Sequence, residues 1–139
     1  MAGYSGTPLA KKLGLKEGQT VAFLQAPENL TALLEPLPTD LRIHNRLAAD
    51  LSVLLFFTTR RAELEKKFDR LQASLLPNGG LWICWPKKAS GVETDVNENI
   101  VRDIALANGL VDNKVCAIDE TWSGLRLVFR LKDRPKNKS

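Results

Sequence analysis

Leu76-Pro77-Asn78-Gly79-Gly80-Leu81-Trp82-Ile83-Cys84-Trp85-Pro86-Lys87-Lys88-Ala89-Ser90-Gly91 is the stretch on which the fold turns. Pro77 predicts the end of a helix and Gly79-Gly80 a turn. The apolar run Leu81–Trp85 predicts a strand buried on both faces. It empties into a polar loop with two lysines, a serine and a glycine. In an open α/β sheet, ligands bind at the carboxyl ends of the strands, where such a loop lies.

The neighbouring segments extend the pattern. Upstream, Asp50 to Thr58 is a strand apolar on both faces, followed by a helix from Arg60 to Leu76. Its stripe is Leu64, Phe68, Leu71 and Leu75. Glu63 and Lys67 form an i,i+4 pair on that helix. Downstream, Asp95 opens a helix that faces inward through Val96, Ile100, Val101 and Ile104 and closes at Gly109. Glu98 stands three residues after Asp95, the spacing of a capping box. Lys114–Asp119 and Leu125–Leu131 are strands five and six, joined by a turn at Trp122-Ser123-Gly124 and therefore antiparallel.

The amino-terminal third completes the alternation. Thr7 caps a short helix with Pro8 at its first position and Gly14 at its end. Thr20–Gln25 is strand one, Asn29 caps a helix through Leu34, and Leu41–His44 is a short strand two. Strands alternating with helices specify an α/β domain with a mainly parallel sheet. The closing antiparallel hairpin resembles the end of the class I methyltransferase fold. The expected architecture is a three-layer, Rossmann-like sheet of about six strands, order 2-1-3-4-6-5, a shortened methyltransferase-like fold.

The 139 residues suit one domain, placed at 1–131, with a flexible basic tail at 132–139. Hydrophobic content of 44% and charged content of 26% are those of an ordinary globular protein, and no apolar run is long enough for a membrane span. The first residues lack a signal-peptide pattern, so the expected location is cytoplasmic. The two cysteines, Cys84 and Cys116, sit in strand patterns and read as core thiols; no zinc spacing exists. The net charge of +4 is local. Residues 126–138 hold six basic residues against one acid, a +5 that leaves −1 for the rest.

Known chemistries find little support. A nucleotide-type cofactor needs a glycine loop after strand one, and here stands Gln25-Ala26-Pro27-Glu28-Asn29. An acid is expected after strand two, and here stands His44-Asn45-Arg46. The single histidine, His44, lacks the partners of a metal pair or a hydrolytic triad. No cofactor and no metal are expected, and the reading leans away from catalysis.

Three loops nevertheless share the carboxyl edge in this topology. They carry Arg60 and Arg61; Lys87, Lys88, Ser90 and Gly91; and Trp122, Ser123 and Arg126. The first helix brings Tyr4, Ser5 and Thr7 towards them. Arginines at a helix N-terminus oppose the macrodipole, which an anion would relieve. The expected partner is a small anionic ligand with Trp122 as a wall; the plainer reading is a solvated rim. A protein partner is the alternative, nucleic acid is disfavoured except through the basic tail, and no membrane partner is expected.

The segments at residues 2–14, 85–91 and 113–126 resemble a bacterial family, the domain of unknown function numbered three thousand and fifty-two. That resemblance covers nearly the whole chain apart from residues 28–50 and those after Leu131. It implies a small, free-standing bacterial cytoplasmic protein and brings no catalytic residue. Adenosylmethionine-dependent methyl transfer is the weakest of the alternatives.

Overall fold

The structure is a computed structural model and describes residues 7–133. Its helices are α1 (Leu9–Lys12), α2 (Leu30–Leu34), α3 (Arg61–Ala73) and α4 (Glu98–Ala107). Its strands are β1 (Thr20–Leu24), β2 (Arg42–His44), β3 (Leu51–Phe57), β4 (Leu75–Pro86), β5 (Leu110–Ala117) and β6 (Trp122–Phe129). They form one sheet of order β2-β1-β3-β4-β6-β5, as expected. The first four positions run parallel, and β6 lies antiparallel to both β4 and β5.

Each face of the sheet has its own core. On one, Leu64, Phe68 and Leu71 of α3 and Val101, Ile104 and Ala105 of α4 cover Leu54, Phe56, Leu81, Ile83 and Trp85. On the other, Ala10 of α1, Leu13 directly after it, and Leu30 and Leu34 of α2 cover Val21, Phe23, Val53, Leu55, Phe57, Trp82 and Cys84. Alternate residues of β3 and β4 thus enter opposite cores, which is why Val53–Phe57 and Leu81–Trp85 are apolar throughout. Each such side chain stabilises the fold by about 1.5–3 kcal/mol through burial. Trp82 and Trp85 point to opposite faces.

Several element boundaries correct the sequence expectations. Helix α3 stops at Ala73, and Leu75 opens β4 opposite Leu51. Leu75 is buried in the same core as the α3 stripe, so its apolar character fits either element. Gly79 and Gly80 do not turn the chain; they lie within β4. Leu51 pairs with Leu75, while Val53 pairs with Gly80, so β4 bulges between them. A Cβ on Gly79 would stand 2.7 Å from the Leu51 carbonyl oxygen. Glycine serves close backbone approach here, as bulges require.

Trp122, Ser123 and Gly124 are also strand residues, pairing with Pro86, Trp85 and Cys84. The turn lies before them, where Asp119 Oδ1 accepts from the backbone N–H groups of Thr121 (2.8 Å) and Trp122 (2.7 Å). Strand β5 begins at Leu110, earlier than Lys114. Helix α4 begins at Glu98 behind Asn97, whose Oδ1 accepts from Ile100 N at 2.9 Å; Asp95 is not its cap. Helix α1 begins at Leu9 behind Pro8, one residue later than a Thr7 cap requires. Leu131–Asp133 forms a 3-10 turn that overlaps the first two residues of the expected tail, and residues 134–139 lie outside the described residues.

Candidate functional site at the sheet's carboxyl edge

The strand order reverses direction between β1 and β3, and their carboxyl ends define the crevice where this class of sheet takes its ligand. Gln25 follows β1 directly, with φ of +57°. Its Nε2 donates to the Phe57 carbonyl at the end of β3 (2.8 Å) and to Glu63 Oε1 on α3 (3.1 Å). The crevice is therefore bridged by a side-chain amide. Glu63 also accepts from Thr58 Oγ1 at 2.6 Å and pairs with Lys67 at 3.4 Å. Burial pushes the Glu63 carboxyl up, but the hydrogen bonds from Thr58, Gln25 and Lys67, with the Lys67 charge, outweigh it and hold it below its ordinary value.

Gln25 combines two opposed effects. Its left-handed backbone costs about 1 kcal/mol relative to glycine, while its two hydrogen bonds each contribute about 1 kcal/mol. Gln25→Ala should lower unfolding stability by about 1–2 kcal/mol. Gln25→Gly should cost visibly less, because glycine relaxes the backbone. Urea unfolding of both variants checks the order; a glycine variant no more stable than the alanine one contradicts it.

Two N–H groups at the N-terminus of α3 have acceptors. Arg60 N donates to Thr58 Oγ1 (3.1 Å) and Arg61 N to Asp95 Oδ1 (2.7 Å). Asp95, expected to start α4, instead supplies the negative group that α3 favours at this end. The Arg61 side chain pairs with Glu65 at 3.4 Å. Thr94 Oγ1 donates to the Thr59 carbonyl at 2.7 Å, fastening the loop after β4 onto the end of β3.

Lys87 is equally committed. Its N–H donates to the Thr121 carbonyl (2.7 Å) and its Nζ to the Asp119 carbonyl (2.6 Å), joining the loop after β4 to the β5–β6 turn. Ser90 Oγ donates to the Lys87 carbonyl (2.6 Å) and accepts from Val92 N (3.2 Å). Gly91 ends the 3-10 turn Lys88–Ser90 with φ of +77°. Trp122 packs edge-on against Phe57, ring centres 5.2 Å apart, and covers the core on the α1 side. Ser123 lies in β6 between Trp85 and Ala117.

Lys88 and Gly91 line a cleft of about 630 Å³ with Trp85, Pro86, Val92, Glu93, Thr94 and Asp95. Two carboxylates accompany its single cation, which disfavours an anion there. Arg126 is not at the carboxyl edge. It pairs with Trp82 in register, and its guanidinium lies over Gly80, farther towards the start of β4. Thr7 precedes α1 and is exposed; Tyr4 and Ser5 lie outside the described residues. The loops after β3 and β4 and the β5–β6 turn thus meet, but largely to bond one another.

Among the described residues, no cluster of His, Cys, Asp and Glu is suited to a metal, and no helix is long and apolar enough to cross a membrane. Both cysteines are buried and free. Burial pushes the Cys84 thiol well up, and burial also raises the less enclosed Cys116 against the opposing charges of Lys12, Lys114 and Lys87. The residues missed from sequence are Gln25, Glu63 and Asp95. Gln25 had a signal: it stands directly after the first strand, where a nucleotide-type cofactor needs glycine.

No protein-family profile matches the sequence, and no curated protein does. The resemblance noted for residues 2–14, 85–91 and 113–126 therefore rests on those residues alone. Solved structures do match. A SAM-dependent methyltransferase from Aquifex aeolicus superposes with a TM-score of 0.55 at 16% identity, covering 84% of this chain and 85% of that one. Magnesium protoporphyrin IX methyltransferase ChlM from Synechocystis PCC 6803, with bound SAH, gives 0.55 at 10% identity over 88% and 78%. Mitomycin 7-O-methyltransferase MmcR gives 0.61 at 9% identity over 81% and 49%. At these identities the likeness is one of fold: the chain has a shortened methyltransferase-like sheet.

Proposed function

We propose that this chain is a non-catalytic, methyltransferase-like binding domain for a small anionic ligand, without adenosylmethionine chemistry. The Gln25 bridge between β1 and β3 carries the second half of this reading. It occupies the point where a nucleotide cofactor would need bare backbone. Purified protein titrated with adenosylhomocysteine should give no saturable heat and no rise in melting temperature. Saturable binding displaced by adenosylmethionine would overturn the reading.

The distribution of charge supports the anionic ligand. Every ion pair found among the described residues lies on α3, or on α4 and its contact with β5: Arg61–Glu65, Lys67–Glu63, and Arg102 with both Glu98 and Asp112. On the α1 side, Lys12, Lys87 and Lys114 surround Cys116, and Arg126 stands beside Lys114. None of these four cations has a carboxylate partner among the described residues. Protein surfaces that leave one sign of charge uncompensated attract the other.

A further inference from the structure

Arg126 and Lys114 stand directly opposite each other on β6 and β5. Their side chains share the face of the sheet that α1 covers, because Arg126 is also opposite Trp82 of that core. Like charges in opposed cross-strand positions destabilise a sheet. Lys114 Nζ donates to the Lys12 carbonyl at the end of α1 (2.8 Å), and the charge of Lys12 acts on Cys116, two residues along β5 from Lys114 on the same face. The five N–H donors of Arg126 meet no acceptor among the described residues.

The position of Arg126 is prepared by the strand beneath it. A Cβ on Gly80 would fall 2.5 Å from Arg126 Nε and 2.9 Å from its Cζ, so only glycine lets the guanidinium lie there. The group is half-buried, and burial pulls its pKa down. A partly desolvated guanidinium held over a glycine, with a lysine across the ladder, is arranged as an anion receptor.

We propose that Arg126, Lys114 and Lys12 form a binding site for the phosphoryl group of a small molecule on the α1 face of the β5–β6 hairpin. This rests on the anionic-ligand reading above and gives it a place and a chemical class. A phosphate monoester carries about −1.5 to −2 charge at neutral pH and three acceptor oxygens. A carboxylate, with one charge, leaves most of this cluster uncompensated. The guanidinium fork takes two oxygens side by side, and Lys114 supplies a point charge to the third.

Inorganic phosphate is the probe. It is titrated into the full chain by phosphorus NMR, and melting temperatures are compared in phosphate, acetate and chloride at matched ionic strength. Phosphate should raise the melting temperature above the other two salts. Arg126→Met and Lys114→Met should each weaken phosphate binding by about tenfold or more, a change of about 1.4 kcal/mol. In phosphate-free buffer Arg126→Met should be at least as stable as the parent, because a like-charge contact is gone, whereas Lys114→Met also loses the bond to the Lys12 carbonyl. Either variant alone gives the readout if the other does not fold.

Equal stabilisation by phosphate and chloride, or undiminished phosphate affinity in both variants, overturns the site. Stabilisation by acetate that both variants retain sinks the site while leaving the anionic-ligand reading intact. Failure of every anion to stabilise the parent sinks both. Binding of single-stranded RNA with no response to inorganic phosphate also overturns the small-molecule site.

Discussion

Trp82→Ala should be the most damaging single substitution here, lowering stability by about 3–5 kcal/mol. Trp82 is fully buried at the centre of the α1-side core. Its indole Nε1 donates to the Leu13 carbonyl at 3.0 Å, which ties the end of α1 to the face of β4 that it covers. Truncation opens a cavity and leaves that carbonyl without its partner. With a whole-domain stability of about 5–15 kcal/mol, the loss is a large fraction of the total. A melting-temperature drop on the order of 10–20 °C is the expected reading. Trp82→Phe separates the two parts, since it keeps most of the volume and loses only the donor, at about 1–3 kcal/mol. A drop in Trp82→Ala no larger than that of Trp82→Phe would show that the cavity contributes nothing.

Gly79→Ala is the second large effect, at about 1–3 kcal/mol. The added methyl would meet the backbone carbonyl of Leu51 at 2.7 Å and that of Leu76 at 3.1 Å. Neither atom can swing aside as a side chain does, so β3 and β4 must separate at the bulge. Gly14→Ala is the control: φ there is +86° but no atom lies within 4 Å of the new methyl. That variant should lose about 1 kcal/mol through backbone conformation alone. Chemical denaturation of the two variants measures both, and a smaller loss for Gly79→Ala would refute the steric account.

Gly79 and its neighbour Gly80 illustrate how far the fold was legible in the sequence. The mainly parallel α/β sheet and its antiparallel closing hairpin followed from the alternation of apolar runs and helical stripes, while the strand order came from the resemblance to the methyltransferase fold. Local punctuation was misleading where tertiary contacts reassigned it. Gly79-Gly80 carries a turn signal, yet one glycine admits the Leu51 carbonyl and the other the Arg126 guanidinium. Leu75 continues the α3 stripe by spacing and also fits the start of β4, and pairing with Leu51 decided the matter. Trp122-Ser123-Gly124 looks like a turn, but Asp119 makes the turn earlier through its carboxylate.

The candidate site was less legible, for one physical reason. Composition shows which polar groups reach an edge but not which of them are already bonded. Lys87 Nζ, Ser90 Oγ and the Arg61 N–H reach the carboxyl edge and are bonded to Asp119, Lys87 and Asp95 respectively. Arg126 has no such acceptor, and its distance from that edge depends on register and on Gly80, neither of which is visible in a string of residues.

The bridging amide of Gln25 also bears on what this fold can become. Any residue small enough there to admit a ligand's phosphate or ribose would release β1 from Phe57 and Glu63 together. Access and cohesion are set by the same side chain, so a descendant gaining a cofactor would first pass through a looser ancestor. The reserve for that passage would have to come from elsewhere, and the two packed cores on either side of β3 are where it lies.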